Sequence, residues 1–462
     1  MGRASSVRPF SISASRSSRM DWACAANGAS VSAATKIRPC VCIDPDRPLT
    51  AWERSRNRRA HGIDARENTR SKLMAAPWEI NMRNSSRSKV DPFIVMDVME
   101  AARKAEEQGR HIIHMEVGQP STGAPEAARR ALADALERDA MGYTVALGLP
   151  ALRQRIARLY GEWYNVDLNP ERVVITPGSS GAFILSFTSL FDSGDRVGIG
   201  APGYPSYRQI LSALGMQPVD IQTAPEHRLQ PVADDIRDQN LAGLMVASPA
   251  NPTGTMLDKP ALAALMEAAH AEGASFISDE IYHGIEYEAK AVTALEISDD
   301  AYVINSFSKY FSMTGWRVGW MVVPEDHIRT IERIAQNMFI CAPHASQVAA
   351  LAAMDCGEEL QANLAVYAKN RALMLEGLPK AGFTKIAPPD GAFYVYADVS
   401  DLTDDSRSFA AEVLENAGVA VTPGLDFDPV RGATTLRFSY ARSTADIEEG
   451  LARLKTFMEA RA

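Results

Sequence analysis

The stretch Asn305-Ser306-Phe307-Ser308-Lys309-Tyr310-Phe311-Ser312-Met313-Thr314-Gly315-Trp316-Arg317-Val318-Gly319-Trp320 sets a lysine just beyond the end of an apolar run and flanks it with hydroxyls. An arginine follows eight positions later in a glycine-bounded segment. A phosphate-bearing aldehyde would need this set: an amine for an imine, hydroxyl donors for phosphate oxygens, and a guanidinium for bidentate charge pairing. Glycines allow the backbone to come close. Lys309 by itself would be an ordinary lysine after a buried strand; the surrounding residues make it a candidate.

Upstream, short apolar runs alternate with helical patterns. Strands are expected at Arg172–Thr176, Arg196–Gly200, Gly243–Ala247, Ser275–Ser278 and Ala301–Asn305, with helices between them. Such spacing predicts a mostly parallel sheet covered on both faces, an α/β fold. Beyond residue 340 two helical stretches precede shorter strands at Ala392–Ala397 and Thr434–Phe438. Ser443-Thr444 with Asp446 signals the start of a last helix. This part reads as a smaller α+β domain.

Other segments carry chemistry. Pro177-Gly178-Ser179-Ser180-Gly181 follows a strand and opens a helix, where backbone N–H groups and the helix dipole favour an anion. Ala201-Pro202-Gly203-Tyr204, Asn251-Pro252-Thr253-Gly254 and Asp279-Glu280-Ile281-Tyr282 each follow a strand. Leu436-Arg437-Phe438-Ser439-Tyr440 is a β-like run with an arginine inside it.

Taken together, residues ~90–460 resemble the class I/II aminotransferases of PLP fold type I, the aspartate aminotransferase-like family; PLP is pyridoxal 5′-phosphate. The resemblance implies a large domain with a mostly parallel seven-stranded sheet flanked by helices, at 123–340. A small C-terminal domain would span 341–462, and an N-terminal arm and part of the small domain 82–122. It implies that Lys309 holds PLP as a Schiff base and shuttles the substrate proton. Ser179, Ser180, Ser306, Ser308 and Arg317 would hold the phosphate, and Tyr204 would stack on the pyridine ring. Asn251 and Tyr282 would contact the ring oxygen, and Asp279 would pair with the pyridinium nitrogen. Arg437 would bind the substrate α-carboxylate, with Gly118 and Asn251 beside the substrate. Tyr143 would reach the neighbouring subunit's phosphate, which requires a homodimer. The implied reaction moves an amino group between an L-amino acid and a 2-oxo acid by ping-pong kinetics. A lyase or synthase acting at Cα or Cβ would use the same core residues. Glu280 and His283 are expected to be structural.

Composition bounds these readings. The 462 residues carry a net charge of −9 and no apolar run near the ~18–20 residues of a membrane span. Nucleic-acid and membrane partners are therefore not expected. Residues 1–81 carry 14 Lys and Arg against 7 Asp and Glu, so the remainder stands at −16. This basic, Ser-rich extension reads as a transit segment, a disordered tail, or sequence upstream of a true start at Met74 or Met82. It lacks the helical pattern of a fused DNA-binding module. Only Cys341 and Cys356 lie in the body, which fits a reducing compartment, the cytoplasm or an organelle if the extension is a transit segment. No second arginine motif for a side-chain carboxylate is visible.

Overall fold

The computed structural model describes residues 83–461, so the expectations for 1–81 lie outside the described residues. Its strands, in chain order, are β1 Ile113–His114, β2 Val173–Thr176, β3 Arg196–Ala201, β4 Gln217–Gln222, β5 Gly243–Ala247, β6 Ser275–Asp279, β7 Tyr302–Ser306 and β8 Gly319–Val322. Then follow β9 Lys385–Ala387, β10 Tyr394–Asp398, β11 Val419–Ala420, β12 Thr422–Pro423 and β13 Thr435–Ser439.

Seven strands make one sheet in the order β2-β8-β7-β6-β5-β3-β4. All neighbours are parallel except β8, which runs antiparallel to both β2 and β7. Alternate residues of each strand enter different apolar clusters: Val173 and Ile175 one, Val174 the other; Val303 one, Ile304 the other. Burial on both faces explains why the strands read as continuous apolar runs. The helix Gly178–Leu190 is buried on more than one side, through Ala182, Phe183, Leu185 and Phe187. A second, four-stranded antiparallel sheet has the order β12-β13-β10-β9.

Most expected elements fall within two residues of their observed bounds. Strand β4 was not expected, because Gln217-Pro218-Val219-Asp220-Ile221-Gln222 is polar and contains a proline. It is an edge strand, where both are tolerated. Strand β8 is the end of the lysine segment turning back: Gly319 pairs with Ser306 and with Thr176.

Candidate active site

Strand β2 points the same way as β7, since each is antiparallel to β8. The carboxyl ends of β2, β3, β5, β6 and β7 therefore share one edge of the sheet, the usual place for a ligand in an open α/β sheet. Residues just past these ends line one cavity of about 490 Å³: Ser179 and Ser180 after β2, Tyr204 after β3, Asn251 after β5, Ser308 and Lys309 after β7. Asp279 ends β6, and Arg437 enters from β13 of the other sheet.

One end of the cavity is built for an anion. The Arg317 guanidinium lies against Gly178, where an added Cβ would come within 2.2 Å of Nη2. Gly178 opens the helix Gly178–Leu190 at φ 69°, so glycine is required there twice over. Arg317 itself is left-handed at φ 50°, and its Nη1 donates to the Thr314 carbonyl at 2.9 Å. A guanidinium packed on a helix N-terminus sets positive charge against a positive dipole end, which a bound phosphate would relieve. Ser179, Ser180 and Ser308 line the same cavity. Ser306 lies off the cavity wall; its hydroxyl is within bonding distance of Ser308 Oγ, 2.9 Å, and the Val318 carbonyl, 3.2 Å.

Lys309 Nζ donates to the Gly118 carbonyl at 2.6 Å and sits 5.6 Å from the centre of the Tyr282 ring. Burial, then the Arg437 and Arg317 guanidiniums, press its pKa down to about 7. Asp279 is buried, and burial raises its carboxyl to about 6. The opposing influences are the Tyr207 hydroxyl, which donates to one carboxylate oxygen, the Ile281 N–H, which reaches the other at 3.1 Å, and Lys309. Arg437 Nη1 donates to Asn251 Oδ1 at 2.9 Å, and Nη2 donates to the Glu116 carbonyl. Its Nε is buried with no partner among the described residues. An anion cradle, a low-pKa amine, a fixed buried carboxylate and an unsatisfied guanidinium in one cavity fit PLP and an amino acid carboxylate.

The sequence model of aminotransferase class I and II matches residues 110–454. The chain belongs to this family. It is a PLP-dependent aminotransferase of fold type I, exchanging an amino group between an amino acid and a 2-oxo acid. A valine–pyruvate aminotransferase from Mycobacterium tuberculosis is 47% identical over 382 residues, 81% of this chain and 98% of that protein. A solved structure from Silicibacter pomeroyi is 80% identical, with a TM-score of 0.79, covering 82% of this chain and all of that one. A solved aminotransferase from Mycobacterium tuberculosis is 46% identical, with a TM-score of 0.80 over 82% of this chain and 99% of that one.

Two residues of the aminotransferase site had no role in the sequence reading. Tyr207 holds Asp279; it stands three positions after Tyr204, a spacing that puts both on one helical face, ring centres 5.3 Å apart. Tyr394 hydrogen-bonds the Tyr282 hydroxyl at 2.7 Å and lies 4.4 Å under the Arg437 guanidinium. It also explains Gly118, where a Cβ would fall 1.8 Å from the Tyr394 hydroxyl oxygen. Nothing near Tyr394 in the sequence marks it as more than a strand residue. Glu280 is buried, and its Oε1 accepts from Ser278, Thr293 and the Ala294 N–H. His283 is held by the Ser248 carbonyl and the Tyr164 hydroxyl. Neither lines the cavity. Tyr143 is 81% exposed and is not brought to the cavity within one chain.

Proposed function

We propose that this transaminase links its cofactor to Lys309, holds the phosphate with Arg317, Ser179, Ser180 and Ser308, and receives the substrate α-carboxylate on Arg437. The observation that carries this reading is Lys309 itself. It is a partly buried amine near pKa 7, in the same cavity as a fixed carboxylate and a guanidinium with an unpartnered Nε.

Bound PLP supplies an electron sink for the bonds at the substrate Cα. The chain's residues do the rest. Arg437, stacked between the Tyr394 and Phe427 rings at 4.4 and 4.7 Å, is held rigid and presents its free Nε edge to a carboxylate. Asn251 fixes the other side of that guanidinium. Lys309 Nζ would take the α-proton as base and, as acid, deliver it to the cofactor's C4′, a role matched to a pKa near working pH. Asp279, screened from water, keeps a negative charge where the pyridinium nitrogen would lie, and Tyr207 fixes its direction. Tyr282, tied to Tyr394, would offer its phenol to the ring oxygen.

A neutral amine is the nucleophile for an aldehyde. Because the folded pKa of Lys309 is lowered to about 7, the neutral fraction grows as pH rises through 7. Asp279 gains its charge as pH rises through about 6, which acts in the same direction. Reconstitution of the cofactor-free chain with PLP should therefore accelerate about tenfold between pH 6 and 8 and then level off. A rate that keeps climbing toward pH 10, as for an ordinary lysine, would contradict the assignment.

We also propose a homodimer in which the exposed Tyr143 of one chain reaches the phosphate cradle of the other. Tyr143 and Val145 are 81% and 60% exposed, and Ile340 is 50% exposed. The Tyr143 loop and the segment after Ile340 are joined by His344 Nδ1 and the Gly142 carbonyl at 3.0 Å. Clustered exposed apolar side chains mark an association surface. Sedimentation of the holoenzyme should give twice the chain mass; a fully active monomer would sink this arrangement.

A further inference from the structure

We infer that Tyr394 is a positioning residue for the amino transfer. Its hydroxyl donates to the Tyr282 hydroxyl, so that the Tyr282 proton is directed at the cofactor's ring oxygen, and the pair sets how tightly the lysine-linked cofactor holds its proton. The inference rests on the assignment of Lys309 and Tyr282 made above.

Tyr394 stands on β10 in register with Ser439 of β13, the strand that also carries Arg437. The centre of its ring lies 4.4 Å from the Arg437 guanidinium carbon. The Tyr282 ring meets it edge to face, centres 5.7 Å apart at 81°. The two hydroxyls are 2.7 Å apart. Both tyrosines are buried, and both line the cavity that contains Lys309. Gly118 leaves room at the tip of Tyr394, since a Cβ there would fall 1.8 Å from the hydroxyl oxygen. The same glycine's carbonyl accepts from Lys309 Nζ at 2.6 Å. The Tyr394 phenol is thus held at its face by a guanidinium and at its tip by Tyr282, one residue away from the contact of the lysine.

A phenol has one proton to give and can accept at the same oxygen. If Tyr282 gives its proton to the ring oxygen, the 2.7 Å bond has to be donated by Tyr394. The charges favour that direction. Burial raises the pKa of both phenols. At Tyr394 the Arg437 guanidinium, then the bond to Tyr282, offset the rise; at Tyr282 the charge and the hydrogen bond of Tyr394 add to it. Tyr394 is therefore the stronger acid of the pair and the better donor. A hydroxyl that accepts a hydrogen bond becomes a stronger donor itself. Tyr282 then draws negative charge from the ring oxygen, which would otherwise stabilise the proton on the lysine-linked nitrogen. Loss of either hydroxyl should let that nitrogen keep its proton to higher pH.

The test is a spectral titration of the holoenzyme, which follows protonation of the lysine-linked cofactor without turnover. Tyr282→Phe should move the midpoint up by about one pH unit. Tyr394→Phe, which keeps the ring against Arg437, should move it up by about half a pH unit. The double variant should match Tyr282→Phe, because Tyr394 acts through that hydroxyl. A merely structural tyrosine would lower the melting temperature and leave the midpoint in place. An unmoved or lowered midpoint in Tyr394→Phe, beside a raised one in Tyr282→Phe, would overturn the inference and leave the assignment of Tyr282 standing. Shifts that simply add in the double variant would mean that Tyr394 acts by another route, and would also overturn it. A midpoint unmoved in both single variants would strike the assignment of Tyr282 itself, and the inference with it. Lys309 is read separately throughout, from the presence of the lysine-linked absorbance.

Discussion

Replacing Lys309 by alanine should abolish the absorbance of lysine-linked cofactor and lower transamination by about four orders of magnitude or more. Two functions leave together: the covalent anchor and the group that moves the α-proton, and proton transfer alone contributes about 10²–10⁴. The loss should not come from unfolding. Lys309 is a partly buried amine held near pKa 7 by desolvation and by the Arg437 and Arg317 guanidiniums, so removing it relieves a cost rather than a support. Its one hydrogen bond, to the Gly118 carbonyl, is replaceable by water in the opened cavity. The melting temperature of the cofactor-free variant should be equal to or above that of the parent. A variant that keeps both absorbance and turnover would refute the role; one that loses both along with several degrees of stability would point to a structural lysine.

Changing Asp279 to asparagine should lower kcat by about 10²–10³, the scale seen when one preorganised electrostatic partner is lost from a water-excluded site. The volume is kept, and with the amide oxygen toward the Ile281 N–H the Tyr207 hydroxyl can turn to accept from the amide NH2, so the fold and the lysine link should survive. The charge is removed and one hydrogen bond is reversed. Tyr207→Phe separates charge from direction: the carboxylate stays but loses one fixed donor, and the loss should be smaller, about tenfold. Equal turnover in Asp279→Asn and the parent would mean that the ring nitrogen has another partner.

What could be read from the chain alone divides along physical lines. Strand ends and the residues just past them were legible, because a doubly covered parallel sheet forces near-continuous apolar runs and puts polar residues at their carboxyl ends. Lys309, Asp279, Asn251 and Tyr204 all sit at such points. Helix starts with local caps were legible too: Ser443 Oγ accepts the Asp446 N–H at 3.1 Å, as the local pattern predicts. Long-range partners were not. The cap of the helix Ile94–Glu107 comes from Asp426, more than three hundred residues away, and no local pattern announces it. Tyr394 reaches the site by strand pairing, in register with Ser439, and its relation to Gly118 is visible only in space. Ser306 shows what spacing alone leaves open. It belongs to the lysine segment, yet as the last residue of β7 it points to Ser308 and Val318 rather than into the cavity.

The proposed role of Lys309 makes one amine the centre of the site. Borohydride reduction of the holoenzyme, followed by proteolysis and mass spectrometry, tests this most directly. Reduction should fix the cofactor to the chain, and the added mass should appear on the peptide containing Lys309, at one per chain. Label on any other lysine, or no label at all in an active enzyme, would contradict the account.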